Sequence, residues 1–214
     1  MSGPSTLASR LGAAALVPPA FLISAVTAHA HHAMDGETPE TLVQGLLSGL
    51  GHPIIGIDHL AGIVAVGLLS AAFARGALLP LAFVAASLLG AALHVAELDI
   101  PLGEVWVALS VVVLGGALAF RHEWPIAGIA ALFALAGVFH GYAYGESIVG
   151  AEPTPLIAYF IGFAAIQYAI ALAAHYASAW LAAKPAGQLA AFRYAPAAVI
   201  ILVGIVFTMT AIGA

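Results

Sequence analysis

Two histidines and an aspartate lie in a stretch of the chain that is otherwise almost wholly apolar, Gly51 to His59. His52 and His59 are seven residues apart, about two turns of a helix, which would place both on nearly the same face. Asp58 adds a carboxylate beside His59. Imidazole and carboxylate groups without a thiol suit a borderline divalent cation such as Ni²⁺, Co²⁺ or Zn²⁺. The stretch is therefore a candidate metal site; helix-end histidines bonded to backbone carbonyls are the structural alternative.

A second candidate group lies in a later apolar segment. His140 and Tyr144 are four residues apart and would share a helix face. Gly145 is expected to end that helix in the left-handed conformation, so that Glu146 turns back toward the site. Gly141 and Gly145 also form a G-x-x-x-G pattern, which lets two helices approach closely. His140 is thus predicted as a ligand and Glu146 as a secondary one.

Three other parts of the chain carry polar residues that need an explanation. His94 and Glu97 are three residues apart and would complete a coordination shell or orient a ligand, unless they simply mark a water-exposed helix end. His31 and His32 would capture metal at the mouth of a path, or belong to a solvated tail. Gln167 is expected to form a hydrogen bond between helices.

The composition fixes the class of protein that these residues belong to. Of the 214 residues, 63% are hydrophobic and only 7% are charged, whereas a soluble domain carries about 25% charged residues. The chain is therefore predicted to be an all-α polytopic membrane protein. It has no cysteine, which excludes disulfides, iron–sulfur clusters and thiolate metal sites. It has no basic stripe, so no nucleic-acid partner is expected.

The first 30 residues have the layout of a cleavable secretory signal. Arg10 precedes the apolar run 11–26, and an A-x-A cleavage pattern ends at Ala30. The prediction is a signal peptide over residues 1–30 and a single membrane domain over residues 31–214, with the mature N-terminus outside the cytoplasm. An uncleaved first membrane helix is the alternative.

Six membrane helices are predicted after the signal. Thr38 is expected to cap a short outer helix near 39–50 that begins at Pro39. A break at Gly51–Pro53 follows, because proline removes a backbone donor. Short connections predict that helices consecutive in sequence are antiparallel neighbours. The membrane helices are expected near 54–73, 77–98, 103–120, 125–144, 155–182 and 196–212.

The basic residues give the orientation. Arg75, Arg121, Lys184 and Arg193 fall in three alternate connections of the mature chain, and the other connections contain no lysine or arginine. Because cytoplasmic loops carry the excess of Lys and Arg, these three loops are predicted to be cytoplasmic and both ends of the mature chain to be outside. The candidate ligands on three helices would then meet in the outer half of a protein of the cytoplasmic (inner) membrane.

At these residues the sequence resembles the HupE/UreJ family of nickel/cobalt permeases. That family has H-x5-D-H in its first mature helix, which is matched here from His52 to His59, and a motif that begins F-H-G in its fourth helix, which is matched from Phe139 to Gly141. Two departures occur: Tyr144 stands where a second histidine is often found, and Glu146 follows the preceding glycine without the usual spacer. The cleaved signal and the six helices also match.

The resemblance implies uptake of Ni²⁺, in some members Co²⁺, to supply metalloenzymes such as hydrogenase or urease. A metallochaperone or a hydrogenase or urease maturation system would then act downstream. The hypothesis is a permease whose cargo is Ni²⁺ or Co²⁺, with no prosthetic group; Zn²⁺ fits the same ligands. The expected partners are the divalent ion and membrane lipid, and a homo-oligomer stays open. The alternatives are a membrane-embedded Zn-dependent hydrolase and a membrane metal-binding protein without transport.

Overall fold

The computed structural model describes residues 37–120, 124–184 and 194–213. These ranges contain only helices and their connections. The predicted signal peptide, together with His31 and His32, lies outside the described residues. The helices are α1 Leu42–Ile55, α2 Ile57–Ser70, a 3₁₀ turn Gly76–Leu78, α3 Pro80–Val95, α4 Gly103–Phe120, α5 Ile126–Glu146, α6 Pro153–Ala182 and α7 Ala195–Gly213.

Five of these helices are long and apolar enough to cross a membrane, namely α3 with its preceding 3₁₀ turn, α4, α5, α6 and α7. The pair α1 and α2 passes the same test jointly but is bent by 79°, so the described residues contain up to six spans if the bent pair counts as one. The prediction of an all-α polytopic membrane protein is therefore confirmed, and the helix bounds agree closely with the sequence-based ones from α4 onward.

The first helix begins three residues later than expected. Thr41, rather than Thr38, is its N-cap: the Thr41 hydroxyl accepts the backbone N–H of Gln44 at 3.2 Å. The Gln44 side chain in turn accepts the backbone N–H groups of Thr41 and Glu40, both at 3.0 Å. This capping box satisfies otherwise unpaired donors of the first turn.

The helix break also lies later than predicted. Pro53 is inside α1, and the chain leaves the helix only at Gly56, whose backbone is extended with φ −71° and ψ 103°. A proline removes one helical hydrogen bond but does not cancel the packing of the helix that contains it. Gly49 packs against the backbone of Tyr159 on α6 so closely that a Cβ there would overlap the Tyr159 carbonyl oxygen. This contact holds α1 helical past Gly51.

The packing of the helices follows their glycines rather than their order in the chain. α3 packs mainly on α5, α4 on α7, and both α1 and α2 on α6. The prediction that consecutive helices are antiparallel neighbours is therefore wrong for the pairs α3–α4, α5–α6 and α6–α7. At each contact a glycine lies against a neighbouring backbone, as Gly90 does on Val138 and Gly204 on Ala108. Close approach of glycine surfaces drives helix association where lipid removes the hydrophobic effect.

α6 is the longest helix, with 30 residues, and it links the two halves of the bent pair. Its first turns pack on α1, and its later turns pack on α2, where Gly67 lies against the backbone of Ala171. The break at Gly56 therefore lies between these two contacts, in the half of the bundle where α6 begins. The basic residues Arg75 and Lys184 follow the far ends of α2 and α6, at the opposite end.

Candidate metal-binding site

Three histidines from three helices meet at the break between α1 and α2. The ring centroid of His59 lies 5.7 Å from that of His52 and 5.0 Å from that of His140. All three side chains are buried, and His140 has no exposed surface at all. His52 is in α1, His59 in α2 and His140 in α5, so the predicted convergence of the two sequence motifs is observed for these three residues.

His140 is held by hydrogen bonds on both ring nitrogens. Its Nε2 lies 3.0 Å from the hydroxyl of Ser110 on α4, and its Nδ1 lies 3.0 Å from Nδ1 of His59. Ser110 donates its only hydroxyl proton to the carbonyl of Val107 at 2.7 Å, so it must accept from His140. The lone pair of His140 is therefore on Nδ1, and His59 donates its Nδ1–H to it.

His52 is oriented in a similar way from α6. Its Nδ1 lies 3.0 Å from the hydroxyl of Tyr159 and 2.9 Å from that of Ser147. Tyr159 donates its proton to the carbonyl of Tyr144 at 2.8 Å, so it accepts the Nδ1–H of His52. The lone pair of His52 is then on Nε2. Histidines that bind metals usually donate their second ring nitrogen to such a fixed acceptor.

Asp58 supplies the negative charge of this region. It is buried in the first turn of α2, where its Oδ1 accepts the backbone N–H of His59 at 2.9 Å. The positive end of the α2 dipole favours a carboxylate at this position. Gly56 makes room beside it, because a Cβ at Gly56 would lie 2.6 Å from Cδ2 of His59 and 3.4 Å from Oδ1 of Asp58.

Tyr144 lies against two of the three histidines. Its ring centroid is 5.1 Å from that of His52 and 4.4 Å from that of His59. The side chain is fully buried, and its hydroxyl has no hydrogen-bond partner among the described residues. Tyr144 thus packs its ring against two imidazoles while its hydroxyl has no partner among the described residues.

Three of the secondary candidates do not join the group. His94 is half-buried and bonds through Nδ1 to the carbonyl of Tyr142 at 2.8 Å. Glu97 is exposed beyond the end of α3. The expectation that Gly145 ends the helix is wrong, because α5 continues through Glu146, whose side chain is exposed. Gly145 cannot leave the helix freely because it packs on α3, where a Cβ would lie 2.5 Å from that of His94.

The arrangement supplies imidazole pairs rather than a closed cage. Across residues 37–120, 124–184 and 194–213, no group of three or more His, Asp or Glu side chains is spaced to hold one metal ion. The full ligand set that the sequence predicted, including His31 and His32, therefore stays a prediction. What the geometry provides is a chain of three touching imidazoles beside one carboxylate, with tautomers fixed by hydroxyl groups.

Sequence reasoning missed the hydroxyl groups that orient the imidazoles. Ser110, Ser147 and Tyr159 contact His140 or His52 directly. A weak signal was present in one case, since Ser110 is the only polar residue between Trp106 and Phe120 in an otherwise apolar helix. By contrast, the predicted interhelical bond of Gln167 is confirmed, because its side-chain amide donates to Ser87 of α3 at 3.2 Å.

Comparison with known proteins identifies a family. The family model described as HupE / UreJ protein matches residues 19–207. A protein from Rhizobium leguminosarum bv. viciae named Protein HupE is 30% identical over 148 residues, which cover 68% of this chain and 74% of that protein. No solved structure matches the chain. The chain therefore belongs to the HupE/UreJ family of membrane proteins, which are associated with nickel and cobalt transport.

Proposed function

We propose that the protein is a permease that takes up Ni²⁺, or Co²⁺, across the cytoplasmic membrane, and that the ion passes the imidazoles at the α1–α2 break. Family membership supports transport rather than catalysis. The buried contact between His59 and His140 supports the route. Ionisable residues inside membrane segments mark ion pathways by default, because burying them there is costly.

The spacing of two nitrogens carries the proposal. The Nδ1 atoms of His59 and His140 are 3.0 Å apart. With metal–nitrogen bonds of about 2.1 Å, two atoms at that distance subtend about 90° at the ion. This is the angle between adjacent ligands in square-planar and octahedral coordination, and square-planar sites with nitrogen and oxygen ligands are typical of Ni²⁺.

The shared proton must leave the contact before an ion can enter it. His59 donates its Nδ1–H to His140, so His59 has to carry its proton on Nε2 when both Nδ1 atoms face the cation. Asp58 offsets the charge of the ion, and His52, in the last turn of α1, is an earlier contact on the path. A path of partial sites also allows release, since an ion held by a complete cage leaves slowly.

The direction of transport follows from charge. Arg75 and Lys184 lie at the end of the bundle opposite the imidazoles, and cytoplasmic loops carry the excess of basic residues. The imidazoles then face the outside of the inner membrane, with the mature N-terminus outside as well. The ion released inside would pass to a metallochaperone or to a hydrogenase or urease maturation system.

Uptake of radiolabelled Ni²⁺ into proteoliposomes tests the proposal. Wild-type protein should accumulate the ion, and His59→Ala should lose at least about 100-fold in rate at limiting metal, because a missing ligand removes both the contact and its orientation. His94→Ala is the matched control: it removes an imidazole at the same end of the bundle that bonds only to a backbone carbonyl. Equal uptake by wild type and His59→Ala would dismiss the route, and no accumulation by wild type would dismiss the permease.

A further inference from the structure

One buried hydroxyl beside the imidazoles has no hydrogen-bond partner among the described residues. It belongs to Tyr144 of α5, whose side chain has no exposed surface. The Tyr144 ring centroid lies 4.4 Å from that of His59 and 5.1 Å from that of His52. A phenylalanine would keep these ring contacts without burying a hydroxyl, which is unfavourable unless the hydroxyl is hydrogen-bonded. The hydroxyl therefore indicates a partner other than the groups packed around it.

Two other hydroxyl groups at the imidazoles are already used. Ser110 and Tyr159 each donate a proton to a backbone carbonyl and accept one from an imidazole. The Tyr144 hydroxyl does neither with any described residue, so its proton and its lone pairs are available. Tyr159 and Asp58 both interact electrostatically with this hydroxyl. The oxygen of Tyr144, and not only its ring, therefore lies within electrostatic reach of the carboxylate at the break.

A cation held by two imidazole nitrogens keeps part of its water shell. An octahedral ion such as Ni²⁺ with two adjacent nitrogen ligands has further coordination positions to fill. No group of three or more His, Asp or Glu side chains in the described part of the chain is spaced to fill them. Water ligands in those positions carry protons that the cation polarises, and buried donors need acceptors. An uncommitted acceptor beside Asp58 would lower the cost of bringing such an ion into the site.

The spacing of the rings fits a contact through a water ligand. A metal–oxygen bond of about 2.1 Å followed by a hydrogen bond of about 2.8 Å reaches about 5 Å from the ion. The Tyr144 ring lies at similar distances, 4.4 and 5.1 Å, from the rings of His59 and His52. A direct bond from a phenolate would instead place one more charge in a buried site, which is costly.

We propose that the Tyr144 hydroxyl accepts a hydrogen bond from a water ligand of the cation, so that Ni²⁺ or Co²⁺ passes the imidazoles as a partly hydrated ion. The inference rests on the proposed permease and makes Tyr144 a positioning residue for its cargo. Together with Asp58, Tyr144 replaces the solvent that the water ligands of the ion leave behind. Retained water also favours release, because conduction needs sites that bind an ion without holding it too tightly.

Tyr144→Phe tests the proposal because it removes the hydroxyl and keeps the ring. Calorimetry of the purified protein should show a Ni²⁺ affinity about 10-fold weaker than that of wild type, the loss expected when a partner outside the metal ligands is removed. Uptake of radiolabelled Ni²⁺ into proteoliposomes should fall by a similar factor at limiting metal and recover at saturating metal. The midpoint of thermal unfolding without metal should not fall, since the hydroxyl bonds to nothing in the described fold.

Tyr168→Phe is the matched control. Tyr168 lies on α6, and its hydroxyl donates to the carbonyl of Ala77 at 3.1 Å. Loss of that bond should lower the midpoint of thermal unfolding by about 2–4 °C. The Ni²⁺ affinity of Tyr168→Phe should stay within about twofold of wild type, because this hydroxyl is bonded away from the imidazoles. The two variants thus separate a hydroxyl that supports the fold from one that supports the cargo.

The number of protons released on binding separates a water-mediated contact from a direct bond. Calorimetry in two buffers of different ionisation enthalpy measures that number. A neutral phenol that bonds to a water ligand releases no proton, so wild type and Tyr144→Phe should release equally many. A greater release from wild type would make Tyr144 a phenolate ligand of the metal and overturn the inference.

Two other results would overturn the inference and leave the permease intact. One is wild-type Ni²⁺ affinity in Tyr144→Phe. The other is a loss of affinity together with a fall in the unfolding midpoint like that of Tyr168→Phe, which would make the Tyr144 hydroxyl a structural group. If wild-type protein itself accumulates no Ni²⁺ in proteoliposomes, the proposed function fails first and this inference fails with it.

Discussion

Two regions at the same end of the bundle contain histidines, and they use them differently. At the α1–α2 break, His59 contacts both His52 and His140. Between α3 and α5, His94 bonds to the backbone of Tyr142 and contacts no other imidazole of the described residues. Both regions have nearby acids and lie at helix ends. Neither the types of residue nor their depth in the bundle therefore explains why the histidines contact one another in one region and not in the other.

The difference lies in how the backbone runs. The α3–α5 contact joins two continuous helices through glycines, and such a contact leaves no space between the helices for a side-chain cluster. At the break, the 79° bend lets His59 leave the line of α1 and reach His140 on another helix. An interrupted helix is tolerated at membrane depth where it lines a site. The bend therefore produces the imidazole contacts, and regular packing excludes them.

The largest expected effect comes from disturbing the bend itself. A Cβ in Gly56→Ala would lie 2.6 Å from Cδ2 of His59 and would displace that ring from His140. We expect Ni²⁺ uptake in proteoliposomes to fall by about 100-fold, the upper end of what misplaced ligands cost. Gly116→Ala is the control, because nothing lies within 4 Å of a Cβ at that position. Wild-type uptake by Gly56→Ala would mean that the bend has no part in binding.

A smaller effect is expected from the hydroxyl that fixes His140. Ser110→Ala removes the acceptor of the His140 Nε2–H. The ring proton of His140 can then lie on either nitrogen, and Nδ1 no longer always presents its lone pair to His59. Losing such a supporting partner typically costs about 10-fold in metal affinity. Calorimetry of Ni²⁺ binding measures the change. Ser110→Thr keeps the hydroxyl and should bind Ni²⁺ nearly as tightly as wild type; if both variants weaken binding equally, packing rather than the hydrogen bond is responsible.

These contrasts also explain what the sequence could and could not reveal. The apolar composition and the positions of charges were enough to predict the helices, because membrane segments have a simple length and composition rule. The pairing of helices was not predictable from short connections, since it depends on which glycine surfaces match, as for Gly90 on Val138. Motif spacing brought His52, His59 and His140 together correctly.

Other parts of the site depended on details that spacing does not encode. The break was placed at Pro53, yet the helix continues to Gly56 because tertiary packing of α1 on α6 outweighs one missing hydrogen bond. Glu146 was expected to fold back at a glycine, but Gly145 is used for packing on α3. The orienting hydroxyl groups of Ser110 and Tyr159 lie on helices that no motif singled out.

The smallest effect on transport is expected from the region between α3 and α5. In Gly90→Ala the new Cβ would overlap the carbonyl oxygen of Val138 and lie 2.8 Å from the backbone nitrogen of Tyr142. Overpacking of this kind costs about 1–3 kcal/mol of stability, so the midpoint of thermal unfolding in detergent should fall. Uptake per folded molecule should stay within about twofold of wild type, since the atoms that a Cβ at Gly90 would meet belong to Val138 and Tyr142 and not to an imidazole of the break.

Gly116→Ala again serves as the reference, and it should unfold no earlier than wild type, because alanine favours a helix over glycine by about 1 kcal/mol. If Gly90→Ala instead lost uptake without losing thermal stability, the α3–α5 interface would have to move during transport. The division between a packed region and a binding region would then be wrong. Overpacking of a static interface lowers the stability of the fold, whereas overpacking of an interface that moves during transport lowers the transport rate.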